Sequence, residues 1–253
     1  MTVGLALAFV LAIVIGLSLG LLGGGGAIVT LPVLVYVAGI PTPQAVGMSL
    51  AVVGATSLIG SVVQYLRGHF HVQATLLFTL TGMAGAYLGA GLTHLLPASV
   101  LLLLFAGLML VVGGVMLRGP RTTDGTGACR PLRCLMIGAA VGVLTGFLGV
   151  GGGFLLVPML VFVAGLEMRR AVGSSLAIIA LNSTAGLVGH LQYTAFDWGL
   201  TASFLVVALI GMGLGLALAG RIPEHTLRKL FAGFVLAVAC VLLITNVTAL
   251  MRS

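Results

Sequence analysis

Two glycine runs are the residues of this chain best suited to chemistry: Gly20-Leu21-Leu22-Gly23-Gly24-Gly25-Gly26 and Gly146-Phe147-Leu148-Gly149-Val150-Gly151-Gly152-Gly153. Contiguous glycine breaks a helix, and the unwound main chain then carries N–H and C=O groups that hydrocarbon cannot satisfy. Such a break must line a cavity or pack against protein. A short apolar segment follows each run. As a helix, it points its first free N–H groups, and the positive end of its dipole, back at the break. That arrangement of donors suits an anion. Close helix packing alone calls for spaced glycines, the reading that fits Gly82, Gly85 and Gly89, and Gly211 and Gly215. A nucleotide loop is excluded, because no strand precedes either run and no Gly-Lys-Ser/Thr follows.

Polar side chains embedded in apolar sequence come next: Ser49, Thr56, Ser57 and Gln64 in the first half, and Ser174, Ser175, Asn182, Ser183, Thr184, His190 and Gln192 in the second. Hydroxyls of this kind commonly bond the carbonyl one turn back. An amide such as Asn182 demands a partner, and it lies about two turns from Ser175 on a similar helical face. His190, Gln64 and Gln192 fall near helix ends, where snorkelling is expected. The predicted substrate-binding set is therefore Gly23, Gly24, Gly25, Gly26, Ser49, Ser57, Gly149, Gly151, Gly152, Gly153, Ser174, Ser175, Asn182 and Ser183.

The acidic residues, Asp124, Glu167, Asp197 and Glu224, all lie at span ends or in a polar linker. No carboxylate is left in mid-membrane to carry a proton or hold sodium, so the cavity suits an anion. Enzyme chemistry finds no footing: His69-x-His71 has the wrong spacing for a helical metal pair, and no nucleophile elbow or His-Glu-x-x-His is present. No cofactor, metal or catalytic residue is predicted. Cys129 and Cys134 lack redox or zinc spacing, and Cys240 reads as a small hydrophobe in an apolar run.

Of the 253 residues, 60% are hydrophobic and 6% are charged, with a mean hydropathy of +1.30. A soluble domain keeps about a quarter of its residues charged, so this is an all-α polytopic membrane protein with the lipid bilayer as a partner. The net charge of +7 is scattered between apolar runs, which argues against nucleic acid and for topology signals.

The chain repeats itself. At the offset separating Gly20 from Gly146, Pro32 matches Pro158, Ala45-Val46-Gly47 matches Ala171-Val172-Gly173, Ser49-Leu50-Ala51 matches Ser175-Leu176-Ala177, and Phe105-Ala106-Gly107 matches Phe231-Ala232-Gly233. The halves are 1–117 and 134–253, joined by a polar linker, 118–133. Spans are predicted over Ala45–Leu66, Val72–Leu92, Ala98–Leu117, Ala171–Leu191, Trp198–Ala219 and Leu230–Leu250. Each run is about 20 residues, enough for ~30 Å of hydrocarbon. Ahead of each trio, Gly4–Leu19 with Ala27–Ala38, and Leu135–Thr145 with Phe154–Ala164, read as broken or re-entrant hairpins.

If each hairpin were a single crossing, Lys and Arg would divide between the two sides. If each returns to the side it entered, every Lys and Arg except Arg252 falls with the linker, which places the linker in the cytoplasm and both termini outside. Matching loops then lie on opposite sides, an inverted-topology repeat. The first apolar run lacks a basic n-region and has an internal counterpart, so it reads as mature protein rather than a signal.

The doubled glycine motif, each copy followed by Pro32 or Pro158, together with Ala171-Val172-Gly173-Ser174-Ser175, resembles the sulfite exporter TauE/SafE family of membrane permeases over nearly the whole chain. The resemblance implies transport of a small sulfur-containing anion, such as sulfite, sulfoacetate or another organosulfonate, outward across the bacterial inner membrane. Alternating access about a midplane site is the expected mechanism, with Ser49, Ser175 and Asn182 assisting the glycine N–H groups. An anion channel, or a membrane assembly protein without cargo, are the other readings.

Overall fold

The computed structural model describes residues 2–92, 98–118, 131–148, 153–162, 164–191 and 197–250, and every described element is helical. α1 (Thr2–Leu22) and α2 (Gly25–Pro32) form the first hairpin, α2 continuing as a π-helical turn over Val33–Val37. Proline lacks an N–H and crowds the preceding turn. The ladder after Pro32 accordingly slips, Ala38 N–H bonding the Val33 carbonyl at 3.0 Å; Ala164 bonds Met159 in the same way, at 3.2 Å, after Pro158. α3 (Thr42–Leu66), α4 (Val72–Leu92) and α5 (Ala98–Arg118) complete the first half. α6 (Pro131–Leu148) and α7 (Gly153–Phe162) are the second hairpin, followed by α8 (Met168–Leu191), α9 (Trp198–Arg221) and α10 (Glu224–Leu250).

The six expected spans correspond to α3, α4, α5, α8, α9 and α10. The one large difference is α10, which starts at Glu224 rather than Leu230 and so carries Glu224, His225, Arg228 and Lys229 on its first two turns. A charged N-terminal turn is compatible with a helix that emerges from lipid before it ends. Among the described residues, α1, α3, α8 and α9 are long and apolar enough to cross a membrane. Large aliphatics face outward, Leu80 at 69% and Val111 at 63% exposure, while Thr56, Ser57, Ser174 and Ser175 are fully buried. This is a multi-pass membrane protein whose apolar exterior meets lipid and whose hydroxyls turn inward. Thr56 and Ser175 are satisfied one turn back, on the Val52 carbonyl at 2.6 Å and the Val172 carbonyl at 2.8 Å.

The first hairpin returns to the end it entered, since a Cβ on Gly4 at the start of α1 would lie 2.7 Å from the Val37 carbonyl at the end of α2. The halves interlock through glycine. α1 lies parallel to α9, with Gly211 against the Ile13 carbonyl and Gly215 against Leu17 and Gly20. α4 lies parallel to α6, with Gly85 against the Ala139 carbonyl and Gly142 against Gly82. Gly82, Gly85, Gly211 and Gly215 are among the spaced glycines expected as packing positions, where a missing side chain lets backbones approach.

α3 and α8 pair antiparallel: Leu50 meets Gly186, Gly54 meets Ser183, Gly60 meets Leu176 and Gln64 meets Gly173. Exchanging each residue for the one at the repeat offset turns the Gly60–Leu176 contact into the Leu50–Gly186 contact, and the Gly85–Ala139 contact into the Gly211–Ile13 contact. Gly39 and Gly165, also matched, both take left-handed φ, +70° and +67°.

Candidate functional site

α1 ends on Gly23, whose N–H bonds the Leu19 carbonyl at 2.9 Å and whose φ is +74°. This left-handed termination is cheap only for glycine. Gly24 is the N-cap of α2 in helical conformation, with no side-chain cap. Gly25 and Gly26 are already inside α2, so the unwound stretch is shorter than the four glycines expected. One left-handed residue followed by a helical cap suffices to reverse the chain. The next two glycines serve packing: Gly26 sits against the Ile15 carbonyl and Ser18 Oγ, and Gly25 against the Phe234 ring, 3.2 Å from a built Cβ. Gly149, Gly151 and Gly152 lie outside the described residues, and Gly153 opens α7.

The two breaks meet. A Cβ on Gly24 would overlap the Gly153 carbonyl and come within 2.6 Å of its Cα, and one on Gly153 would come within 2.9 Å of the Gly24 Cα. Ten residues of α7, about 15 Å of helix at ~1.5 Å per residue, separate this crossing from the loop that leads into α8. That is roughly half of a ~30 Å hydrocarbon core.

Ser175 borders the crossing, its Oγ 2.6 Å from a Cβ built on Gly23 and bonded to the Val172 carbonyl at 2.8 Å. Among the described residues, Ser57 Oγ and Asn182 Oδ1 are buried without a hydrogen-bond partner. They lie on α3 and α8, near the level where Gly54 faces Ser183, 3.1 Å between a built Cβ and the serine Cβ. Ser49 is half-buried at the position matching Ser175; the glycine that would mirror Gly23 beside it, Gly149, is outside the described residues. Ser174 is engaged elsewhere, accepting the His71 N–H at 3.1 Å.

Arginines read from sequence only as topology signals bond to main chain at one end of the bundle. Arg67 Nη1, just past α3, donates to the Leu216 carbonyl at 2.9 Å. Arg169 Nη2, on the first turn of α8, donates to the Ile222 carbonyl at 3.1 Å and to the Gly220 carbonyl at 3.4 Å. Both forks thus close on carbonyls of the last two turns of α9 and its C-cap, Ile222, where the helix dipole is negative. His69 lies between them, 3.3 Å from Gln64 Oε1. Gln64 is buried rather than snorkelling; His190's side chain and Gln192 lie outside the described residues. Burial, then Arg169, Arg67 and Arg170, hold the His69 pKa below its ordinary 6.5. Gln64, Arg67, His69, Arg169, Leu21 and Val172 surround a residual cavity of only about 10 Å³, one water at most. Val172 also touches Gly23, so this constriction lies next to the glycine turn. The signal that could have found it was in hand: in antiparallel pairing, the end of α3 must meet the start of α8.

His71 turns out to be the cap of α4. Its Nδ1 accepts the Ala74 N–H at 3.1 Å, as Asp197 accepts the Leu200 N–H at 3.1 Å to cap α9 at the matching position. A groove of about 490 Å³ runs between α1 and α10, lined by Val14, Ser18, Leu22, Thr226, Lys229 and Phe234, and Phe234 separates it from Gly25. Cys240 is exposed on the apolar exterior.

Comparison with known proteins agrees with the glycine architecture. The sequence model of the family described as "Sulfite exporter TauE/SafE" matches residues 8–242. A "Probable membrane transporter protein" of Xylella fastidiosa (strain 9a5c) is 39% identical over 236 residues, covering 89% of each chain. The "Probable membrane transporter protein YdhB" of Bacillus subtilis (strain 168) is 27% identical, covering 85% of this chain and 90% of its own. "Probable membrane transporter protein MJ0441" of Methanocaldococcus jannaschii is 27% identical over 72% of each. No solved structure matches the chain. With paired helix breaks, a lipid-facing apolar exterior and a match spanning nearly its whole length, the chain belongs to the TauE/SafE family of membrane transporters.

Proposed function

We propose that the protein exports a small sulfur-containing anion, sulfite, sulfoacetate or another organosulfonate, across the bacterial inner membrane by alternating access. The two halves are inverted repeats that rock about a midplane site. The basic end with the linker faces the cytoplasm, and both termini face outward. The observation that carries this reading is the contact between the two helix starts at Gly24 and Gly153, with Ser57 Oγ and Asn182 Oδ1 buried without hydrogen-bond partners on α3 and α8. Donor-rich main chain inside hydrocarbon is tolerated where it serves a cavity or pathway. The antiparallel pairing of α3 with α8, elements at matching sequence positions, supports opposite orientation of the halves. The gathering of arginine at one end supports the orientation by the positive-inside rule.

Export needs no coupling ion. With the cytoplasm negative, an anion moving outward gains about 2.3 kcal/mol per charge per 100 mV. The test is flux from proteoliposomes loaded with sulfite or a sulfonate under an imposed potential. Saturable efflux, faster when the exit side is positive and absent in Gly24→Leu protein that still inserts, is the expected result. Flux equal to that of empty liposomes for every such anion at both polarities would overturn the reading.

A further inference from the structure

We propose that Arg67 and Arg169 form a second oxyanion site at the basic end, where the transported anion is first held and from which it displaces the α9 carbonyls now occupied by the two guanidinium forks. This rests on the anion-export reading and names the entry side of the same pathway.

The two arginines come from opposite halves yet converge on one strip of main chain, Leu216 to Ile222. A residue needed only to mark topology has no need of a fixed main-chain partner, since the charge counts wherever it lies on that side. Neither fork has a carboxylate partner among the described residues. Glu167 pairs with Arg170 at 3.8 Å, and the Glu224 carboxylate accepts the Arg169 backbone N–H at 3.4 Å. Neutral carbonyls are weak partners for a guanidinium, and an oxyanion makes charge-assisted, often bidentate bonds about twice as strong.

The chemistry and the mechanics therefore coincide. An anion arriving at the forks gains more than the carbonyls offer, and taking the forks from α9 loosens the closure over the 10 Å³ constriction. Leu21 and Val172 line that constriction from α1 and α8, and Val172 touches Gly23. The released anion thus has one residue layer between it and the glycine turn.

His69 reports on the site without being part of it. The groups around it are Arg67, Arg169, Arg170 and Glu167. Bound negative charge at the two forks must favour its protonated form. The experiment is a pH titration of ¹⁵N-histidine-labelled protein in zwitterionic nanodiscs, with and without sulfite, the His69 signal assigned by its loss in His69→Gln. Sulfite is expected to raise the His69 pKa in the native protein and to leave it unmoved in Arg67→Gln and Arg169→Gln. Arg67→Lys and Arg169→Lys, which keep the charge, are expected to show a reduced shift. No shift in native protein, or an equal shift in both glutamine variants, overturns the site.

A second arm uses nanodiscs containing phosphatidylglycerol. If that lipid alone moves the signal and sulfite adds nothing, the forks hold headgroup phosphate and the proposal fails. Because these readouts report binding, a failure of flux in every proteoliposome, which sinks the export reading, leaves the site decidable. Where flux is present, the glutamine variants should raise the KM for anion at the basic end about tenfold or more. An unchanged KM overturns the role in loading.

Discussion

Gly23 combines two demands on one residue. Its φ of +74° disfavours any side chain, and a Cβ there would press on Ser175 Oγ at 2.6 Å. The two costs separate experimentally. Gly23→Ala should destabilise the protein by about 1–3 kcal/mol from backbone strain and crowding together, and adding Ser175→Ala should restore only the crowding share. Thermal unfolding in detergent measures both; full recovery in the double variant would show that the backbone is not held left-handed.

His71 makes a different point, that a histidine in a basic loop can be a helix cap. His71→Ala should lower stability by about 1 kcal/mol, and His71→Asn, which also caps, should lower it less. His69 adds a pH dependence. Because its folded pKa lies below 6.5, the unfolded chain takes up the proton first as the pH drops. Stability is therefore fully present above about pH 6.5 and is lost as the pH falls through the depressed value. His69→Gln should flatten that slope in unfolding midpoints measured across pH.

At the level of elements, the fold rests on helices meeting backbone to backbone. A side chain at Gly85 or Gly211 would run into the carbonyls of Ala139 or Ile13, whereas Gly114 and Gly213 have nothing within 4 Å of a built Cβ. Gly85→Leu and Gly211→Leu should each destabilise by more than about 2 kcal/mol, while Gly114→Leu and Gly213→Leu stay near neutral. Expression and monodispersity in detergent distinguish them, and equal behaviour of all four would deny the packing its role. This contrast was half legible beforehand. Period and spacing mark Gly82, Gly85, Gly211 and Gly215 as packing glycines, but the partner helix appears only in the fold. The first glycine run makes a shorter break than its four contiguous glycines suggest, because sequence cannot tell which glycines of a run will re-enter a helix once a partner backbone is available.

For the molecule as a whole, the proposed alternating access requires α3 and α8 to shift against one another. Gly54 and Ser183 face each other with 3.1 Å between a built Cβ and the serine Cβ, within a few tenths of an ångström of the ~3.5–4.5 Å Cβ separation of a disulfide. In a background without Cys129, Cys134 and Cys240, Gly54→Cys with Ser183→Cys should cross-link on oxidation and stop transport, and a thiol should restore it. The flux probe must be a sulfonate, because sulfite itself cleaves disulfides. Transport that continues through a complete cross-link would rule out relative motion at this contact.

Composition and the internal repeat dictate much of this protein in advance. Six charged residues in a hundred cannot keep a domain in water, and a motif that recurs at a fixed offset must build the same local structure twice. The membrane class and the all-helical architecture follow from these local facts. What residues far apart in the chain do to each other does not follow. That Gly24 lies on Gly153, that Ser174 serves a loop while Ser175 serves the crossing, and that Arg67 and Arg169 close on the end of α9 are decided by how the two halves pack. Pattern and propensity speak only to neighbours along the chain, whereas these contacts join residues that meet once the halves have docked.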